Sequence, residues 1–278
     1  MSAHRFRLTS LILVEERLRE AIYFARALRR KSNADIVSYH LNAFLAAARS
    51  VTFILQKEMS RVQGFDSWWS DRQQELSRDS AARFFLKLRN FSQKEGRVSL
   101  VGTRDPKPGG SHWVFRFAGN SDKVPRELIH RDVDDCCIEH VAKLAALVLK
   151  CCERFPYHVS AWRALTPDGI QELGLSIHDI CVAAGLPKEW AHADGGPPKE
   201  VVLRILRESI DDLDFRFLRR LANGRREGRT ADAIPSDLGE DLLQRMVSHL
   251  EGPSRTLNMA EVAGELVLTM RQQCEKNE

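Results

Sequence analysis

Apolar positions recur at helical spacing along most of this chain. Leu11, Leu18, Ile22, Ala25 and Leu28 fall at steps of three, four and seven, which predicts a helix over residues 8–30. Arg29, Arg30 and Lys31 close it, where cations complement the negative helix end. Phe44, Ala47, Val51, Ile54 and Leu55 predict a second helix over Asp35–Met59, and its small alanines let a neighbouring helix approach closely. Gly64 breaks the pattern, and Phe65–Ser77, with Trp68 and Trp69, reads as a short amphipathic link. A third helix is predicted over Asp79–Glu95, with Asp79 as N-cap and Gly96 as C-cap. A fourth spans about 132–155, where Val133, Cys137, Val141, Leu144, Val148, Cys151 and Phe155 repeat before Pro156 stops the helix.

The pattern changes between the third and fourth helices. Val98–Val101 and Trp113–Phe117 are short strand-like runs, and TRDPKPGGS between them is predicted as a loop. Beyond Pro156, Thr166 and Pro167 begin a short helix, and Ser176 with Asp179 forms a capping-box-like start for another. Residues 191–198 read as a linker and Lys199–Ala222 as one long helix. A polar loop at 225–235 precedes two last helices, at about 237–250 and 258–273. The expected fold is mostly α: an antiparallel helical bundle over residues 1–160 with a small β-hairpin at about 97–118, then a C-terminal helical appendage over 161–278.

Composition narrows the function classes. Apolar residues make up 43% of the 278 and charged residues 29%, enough for a real core in a soluble chain. A net charge of +4 permits nucleic-acid contact without requiring it. No apolar run approaches the roughly 18 residues of a membrane span, and LTSLILV runs straight into Glu15, Glu16 and Arg17, unlike a secretory signal. A cytoplasmic protein without membrane contact is therefore expected. Cys136, Cys137, Cys151 and Cys152 lie as adjacent pairs in an apolar helix, which suits reduced, buried thiols and does not match zinc-ligand spacing. There is no Gly-rich phosphate loop, HExxH or GxSxG, so metabolic-enzyme readings have no support and no cofactor is expected.

The candidate chemistry lies in Asp79–Gly96. Ala82, Phe85, Leu88 and Phe91 form an apolar face that carries Arg89-Asn90 and stops at a glycine, after the alanine-rich segment His40–Glu58. In that order, over about residues 8–155, the chain resembles the HEPN helical domains. Their motif reads Arg, four to six residues, then His. The resemblance implies a homodimer in which paired Arg and His side chains cleave RNA without a metal, in prokaryotic toxin–antitoxin or antiviral systems. Arginine offers phosphate a permanently charged planar fork, and histidine titrates near neutral pH. Here Lys94 stands at the histidine position, and none of the nine histidines has an arginine five to seven residues before it. A lysine with its ordinary pKa of ~10.4 is a poor base at neutral pH but can still neutralise phosphate. Arg89, Asn90 and Lys94 are thus a degenerate candidate site. The leading expectation is binding of RNA or of an antitoxin-like protein partner with weak or no ribonuclease activity. Two alternatives stay open. One is an active endoribonuclease completed by Lys94 or a distant histidine; the other is a purely structural interaction module.

Other clusters weigh less. Asp132, Asp134, Asp135, Glu139 and His140 gather at a helix start, where acids are favourable without a metal, and no metal is expected. Residues 166–186 loosely resemble helix-turn-helix, but SIHDICVAAG lacks the arginines, lysines or amides of a recognition helix. Arg216, Arg219, Arg220, Arg225, Arg226 and Arg229 form the densest basic patch, a candidate RNA contact or a solvated helix end.

Overall fold

The fold begins with two helices that pack along most of their length. In the computed structural model the described residues are 11–29, 31–107, 110–118, 123–183 and 198–224. Helix α1, Ile12–Ala27, buries Val14, Leu18, Ala21, Ile22 and Ala25. Helix α2, Ala34–Met59, is capped by Asn33, whose side chain accepts from the Asp35 and Ile36 N–H groups at 2.8 and 3.3 Å. Its buried face runs Val37, Leu41, Phe44, Leu45, Ala48, Val51 and Leu55, one side of the cylinder.

Gly64, at φ +79°, turns the chain into α3, Phe65–Arg78. That conformation favours glycine. The expected short link is therefore a full helix. Phe65 stacks on Trp69 at 5.9 Å, and Trp68 meets Phe155 edge-on at 5.9 Å, which fixes α3 against the far end of α5. Asp79 ends α3 and caps α4, Ser80–Lys94, accepting from the Ala82 N–H at 2.9 Å. Glu95 is the C-cap, and the Gly96 N–H returns to the Phe91 carbonyl at 3.2 Å.

The strands are longer than the sequence pattern suggests. β1, Leu100–Lys107, pairs antiparallel with β2, Gly110–Phe117, in a register running from Leu100↔Phe117 to Lys107↔Gly110. Most of the expected loop belongs to the ladder. Pro106 is tolerated because each strand of a two-stranded sheet is an edge. Phe117 packs edge-on against Phe84 and Phe85, at 5.2 and 5.9 Å, and ties the hairpin to α4.

Helix α5, Val133–Arg154, completes the bundle and packs on α1, α2 and β2. Cys136, Cys137, Cys151 and Cys152 are buried free thiols. Burial pushes the Cys136 and Cys152 pKa values up to about 12, so all are inert packing groups at neutral pH. Two short helices follow, α6 at Pro156–Val159 and α7 at Ala161–Ala164.

The described residues divide into two compact units, one built from 11–164 and 211–224, the other from 165–210. The second contains α8 (Pro167–Glu172), α9 (Ile177–Ala183) and α10 (Lys199–Ser209). Thr166 caps α8, and Ser176 and Asp179 exchange reciprocal capping bonds at 3.1 Å. Its core is Leu165, Ile170, Ile180, Val202, Leu203 and Leu206.

The single long helix expected over Lys199–Ala222 is interrupted. α10 ends at Ser209, residues 211–214 are not helical, and α11 restarts at Phe215–Ala222. Asp214 causes the restart: its side chain accepts from the Phe217 N–H at 2.8 Å. α11 then packs on α5 as part of the first unit. The expected linker at 191–198 lies, but for Pro198, outside the described residues, as do the polar loop at 225–235 and the helices at 237–250 and 258–273. Among the described residues, no helix is long and apolar enough to cross a membrane.

Candidate functional site

Arg89 lies in the last two turns of α4, half-buried, on the wall of a pocket of about 300 Å³. Four helices of the first unit build it, each with one face. From α2 come Leu45, Ala48, Arg49 and Thr52, and from α3 Trp69, Gln73, Leu76 and Ser77. α4 gives Ala82, Arg83, Phe85, Leu86 and Arg89, and α5 gives His140 and Leu144. Spacings of three, four and seven recur within these sets, the positions that share a helix face.

Polarity is graded across the pocket. Leu45, Ala48, Trp69, Phe85 and Leu144 are buried, whereas Arg49, Gln73, Ser77, Arg83 and Leu86 are exposed. An apolar floor thus lies beneath a rim that carries three arginines. Arg49 donates to Thr52 Oγ1 at 2.8 Å and Arg89 to Asn90 Oδ1 at 3.2 Å. Among the described residues neither they nor Arg83 forms an ion pair with an acid. Partial burial, and then the Arg89 charge, lower the Arg49 pKa.

His140 sits beside them. Its ring stacks on Phe85 with centroids 4.3 Å apart and meets Phe44 edge-on at 6.4 Å. Burial, then the neighbouring Lys143 charge, bring its pKa down to about 4 against a weaker opposing pull from Asp79. The imidazole is therefore neutral at physiological pH. His140 Nδ1, Trp69 Nε1 and Arg89 Nε are all enclosed and lack a hydrogen-bond partner among the described residues. Three such atoms on residues lining one pocket are unusual, because each unpaired buried group costs about 1–3 kcal/mol.

The other sequence candidates lie elsewhere. Asn90 is exposed and touches the site only through its bond to Arg89. Lys94 is exposed, about 140° around α4 from Arg89, and does not line the pocket. Arg216, Arg219 and Arg220 are exposed on α11, away from the pocket lining, while Arg225, Arg226 and Arg229 lie outside the described residues. The acids of α5 are held by arginines: Arg29 with Asp134 and Asp135 at 2.8 and 3.3 Å, and Arg131 with Glu139 at 2.5 Å. Among the described residues, no three or more His, Cys, Asp or Glu side chains gather as a metal site would need.

Sequence reasoning missed Arg49, Arg83, Trp69 and His140 as partners of Arg89. Arg49 carried a signal, as the one cation within the apolar run of His40–Leu55. His140 was hidden among the acids at the start of α5.

Residues 9–107 match the family model described as bacteriophage lambda protein ea47. The likeness ends with β1 and so takes in the arginine rim and Trp69 but not His140. No curated protein and no solved structure matches the chain.

Proposed function

We propose that this is a HEPN-like, RNA-binding protein of the cytoplasm that holds the RNA phosphate backbone at the Arg49–Arg83–Arg89 rim and cuts it weakly or not at all. One observation carries the reading: three arginines line one pocket with no ion-paired acid among the described residues, and burial and then the Arg89 charge disfavour the charge of Arg49. Guanidinium groups arranged so are matched by phosphate oxygens. Weak cleavage follows from Lys94 standing where the resemblance implies a histidine. The phage family matched by the N-terminal segment is in keeping with a role in phage–host conflict, the setting that the resemblance implies. We propose further that the protein works as a homodimer, for which Ile36, Tyr39 and Phe53 leave exposed apolar surface along α2. Sedimentation equilibrium of the wild type against a Tyr39→Asp, Phe53→Asp variant tests that part.

The RNA reading is tested by titrating a labelled single-stranded RNA at several salt concentrations. Arg89→Ala and Arg49→Ala should each weaken binding about tenfold, the scale of one charge-assisted phosphate contact. Each should also flatten log K against log salt by about 0.7. Unchanged affinity in both variants would return the protein to the structural-module reading.

His140 favours a second reading. A neutral imidazole in the same pocket as Arg89 supplies a proton acceptor that does not depend on Lys94, a weak one because the burial that keeps it neutral also lowers its basicity. In that case metal-independent cleavage is abolished by His140→Ala and untouched by Lys94→Ala. Cleavage lost with Lys94→Ala instead would assign the role to lysine.

A further inference from the structure

The pocket beneath the arginine rim has a shape that backbone contacts alone do not require. Its volume of about 300 Å³ sits at the small end of ligand pockets, which run to about 1,000 Å³. It is too narrow for a duplex and large enough for one planar ring system. Phosphate binding explains Arg49, Arg83 and Arg89 but leaves the floor of Leu45, Ala48, Trp69, Phe85 and Leu144 unexplained. That floor is apolar and aromatic, and its one titratable group, His140, is neutral. Nothing there favours a second charge.

We infer that the pocket takes a single unstacked nucleotide, its base lodged on the Trp69–Phe85–Leu144 floor and its phosphate held at the Arg49–Arg83–Arg89 rim. The inference rests on the reading that this face binds RNA and adds that one base leaves the strand to enter. A nucleobase matches both layers. Its ring faces suit aromatic and aliphatic walls, and its edge carries donors and acceptors together. Trp69 is 5% exposed, and its Nε1–H, which can only donate, has no partner among the described residues. A neutral imidazole offers one donor and one acceptor nitrogen, and His140 Nδ1 is likewise unpaired. Both atoms are closed from solvent, so a small shift of the ring walls must accompany entry. A carboxylate side chain or free phosphate would satisfy the rim and leave the floor empty.

Calorimetry on the full chain tests this with five probes: 5′-AMP, 5′-UMP, adenosine, inorganic phosphate and phenyl phosphate. The two monophosphates should bind at least about tenfold more tightly than adenosine or phosphate alone, as expected when stacking adds to the charge contact. They should also displace labelled single-stranded RNA. Leu86→Trp plugs the pocket from α4 with the arginines intact, and Gln73→Trp does so independently from α3. Each should cut monophosphate affinity about tenfold while phosphate binding is unchanged. Near-UV circular dichroism checks that both variants fold. Phosphate or phenyl phosphate binding as tightly as 5′-AMP would overturn the nucleotide assignment. So would absent monophosphate binding alongside intact, Arg89-dependent RNA binding, and that result would leave the proposed function standing. Loss of both kinds of binding in the wild type would remove both.

Discussion

Lys143 Nζ reaches from α5 to the Asp79 carboxylate at 2.7 Å, while that carboxylate caps α4 through the Ala82 N–H. One residue thus ends α3, starts α4 and ties both to α5, three of the four walls of the arginine pocket. Burial works against the Asp79 charge, but the Lys143 and Ala82 hydrogen bonds outweigh it and hold the pKa below the usual carboxylate range.

Removing Asp79 should therefore cost more than removing its partner. Asp79→Ala deletes a cap and an ion pair and should destabilise the protein by about 1–2 kcal/mol. Lys143→Met removes only a partly exposed pair and should cost about 0.5 kcal/mol. Urea unfolding measures both, and the double variant should fall short of the sum because the two share one interaction. Equal costs would mean that the cap contributes nothing.

His140 gives the fold a pH dependence of known sign. Its folded pKa of about 4 lies below the ordinary ~6.5, so between those values the unfolded chain binds the extra proton. Stability is then fully present above pH ~6.5 and is lost as pH falls toward ~4, by about 2 kcal/mol after allowing for the ring's partial exposure. His140→Gln should flatten the profile in that window. An unchanged slope between pH 6.5 and 4 would show that another group supplies it.

Helix α11 is held by a polar latch as well as by Leu218 and Leu221. Glu15, nearly buried on α1, accepts the Asp214 N–H at 2.7 Å and pairs with Arg19 at 2.5 Å. Arg19 also reaches Asp214 at 3.1 Å and lies 4.0 Å over the Phe217 ring. Glu15→Ala strands a backbone donor and should destabilise by about 2 kcal/mol. Amide exchange should then quicken first in residues 215–222. Uniform quickening across α1, α2 and α5 would argue that α11 does not open separately.

How legible this was in the sequence depended on how local the cause is. Asp79 and Gly96 bracket α4 by bonds to residues three to five positions away, so the helix was readable. The interruption at 210–214 was not, because Phe217 and Leu218 keep a helical apolar pattern across it. Asp214 caps from within that pattern, and Glu15, which holds its N–H, is 199 positions distant. The hairpin is hard to read because Pro106 and the glycines punctuate a ladder that has no inner strand to offend. The site shows the same contrast. Arg89 stood out beside Asn90 at the end of an amphipathic helix. Arg49, Trp69 and His140 meet it only through the packing of α2, α3 and α5, which no local pattern encodes.

The arginines of α11 provide a second test of nucleic-acid contact, separate from the pocket. Arg216, Arg219 and Arg220 are exposed, while Leu218 and Leu221 face the core, so the helix presents charge on its outer side only. Replacing the three by glutamine should leave the fold intact, since surface changes usually stay within about 0.5 kcal/mol. If each arginine meets a phosphate, the slope of log K against log salt flattens by about 2 for single-stranded RNA. The same experiment on Arg225, Arg226 and Arg229 asks whether the contact continues along the chain. A triple variant of α11 with unchanged affinity and slope would make these arginines a solvated helix face, favoured by the helix dipole, and confine RNA contact to the Arg89 pocket.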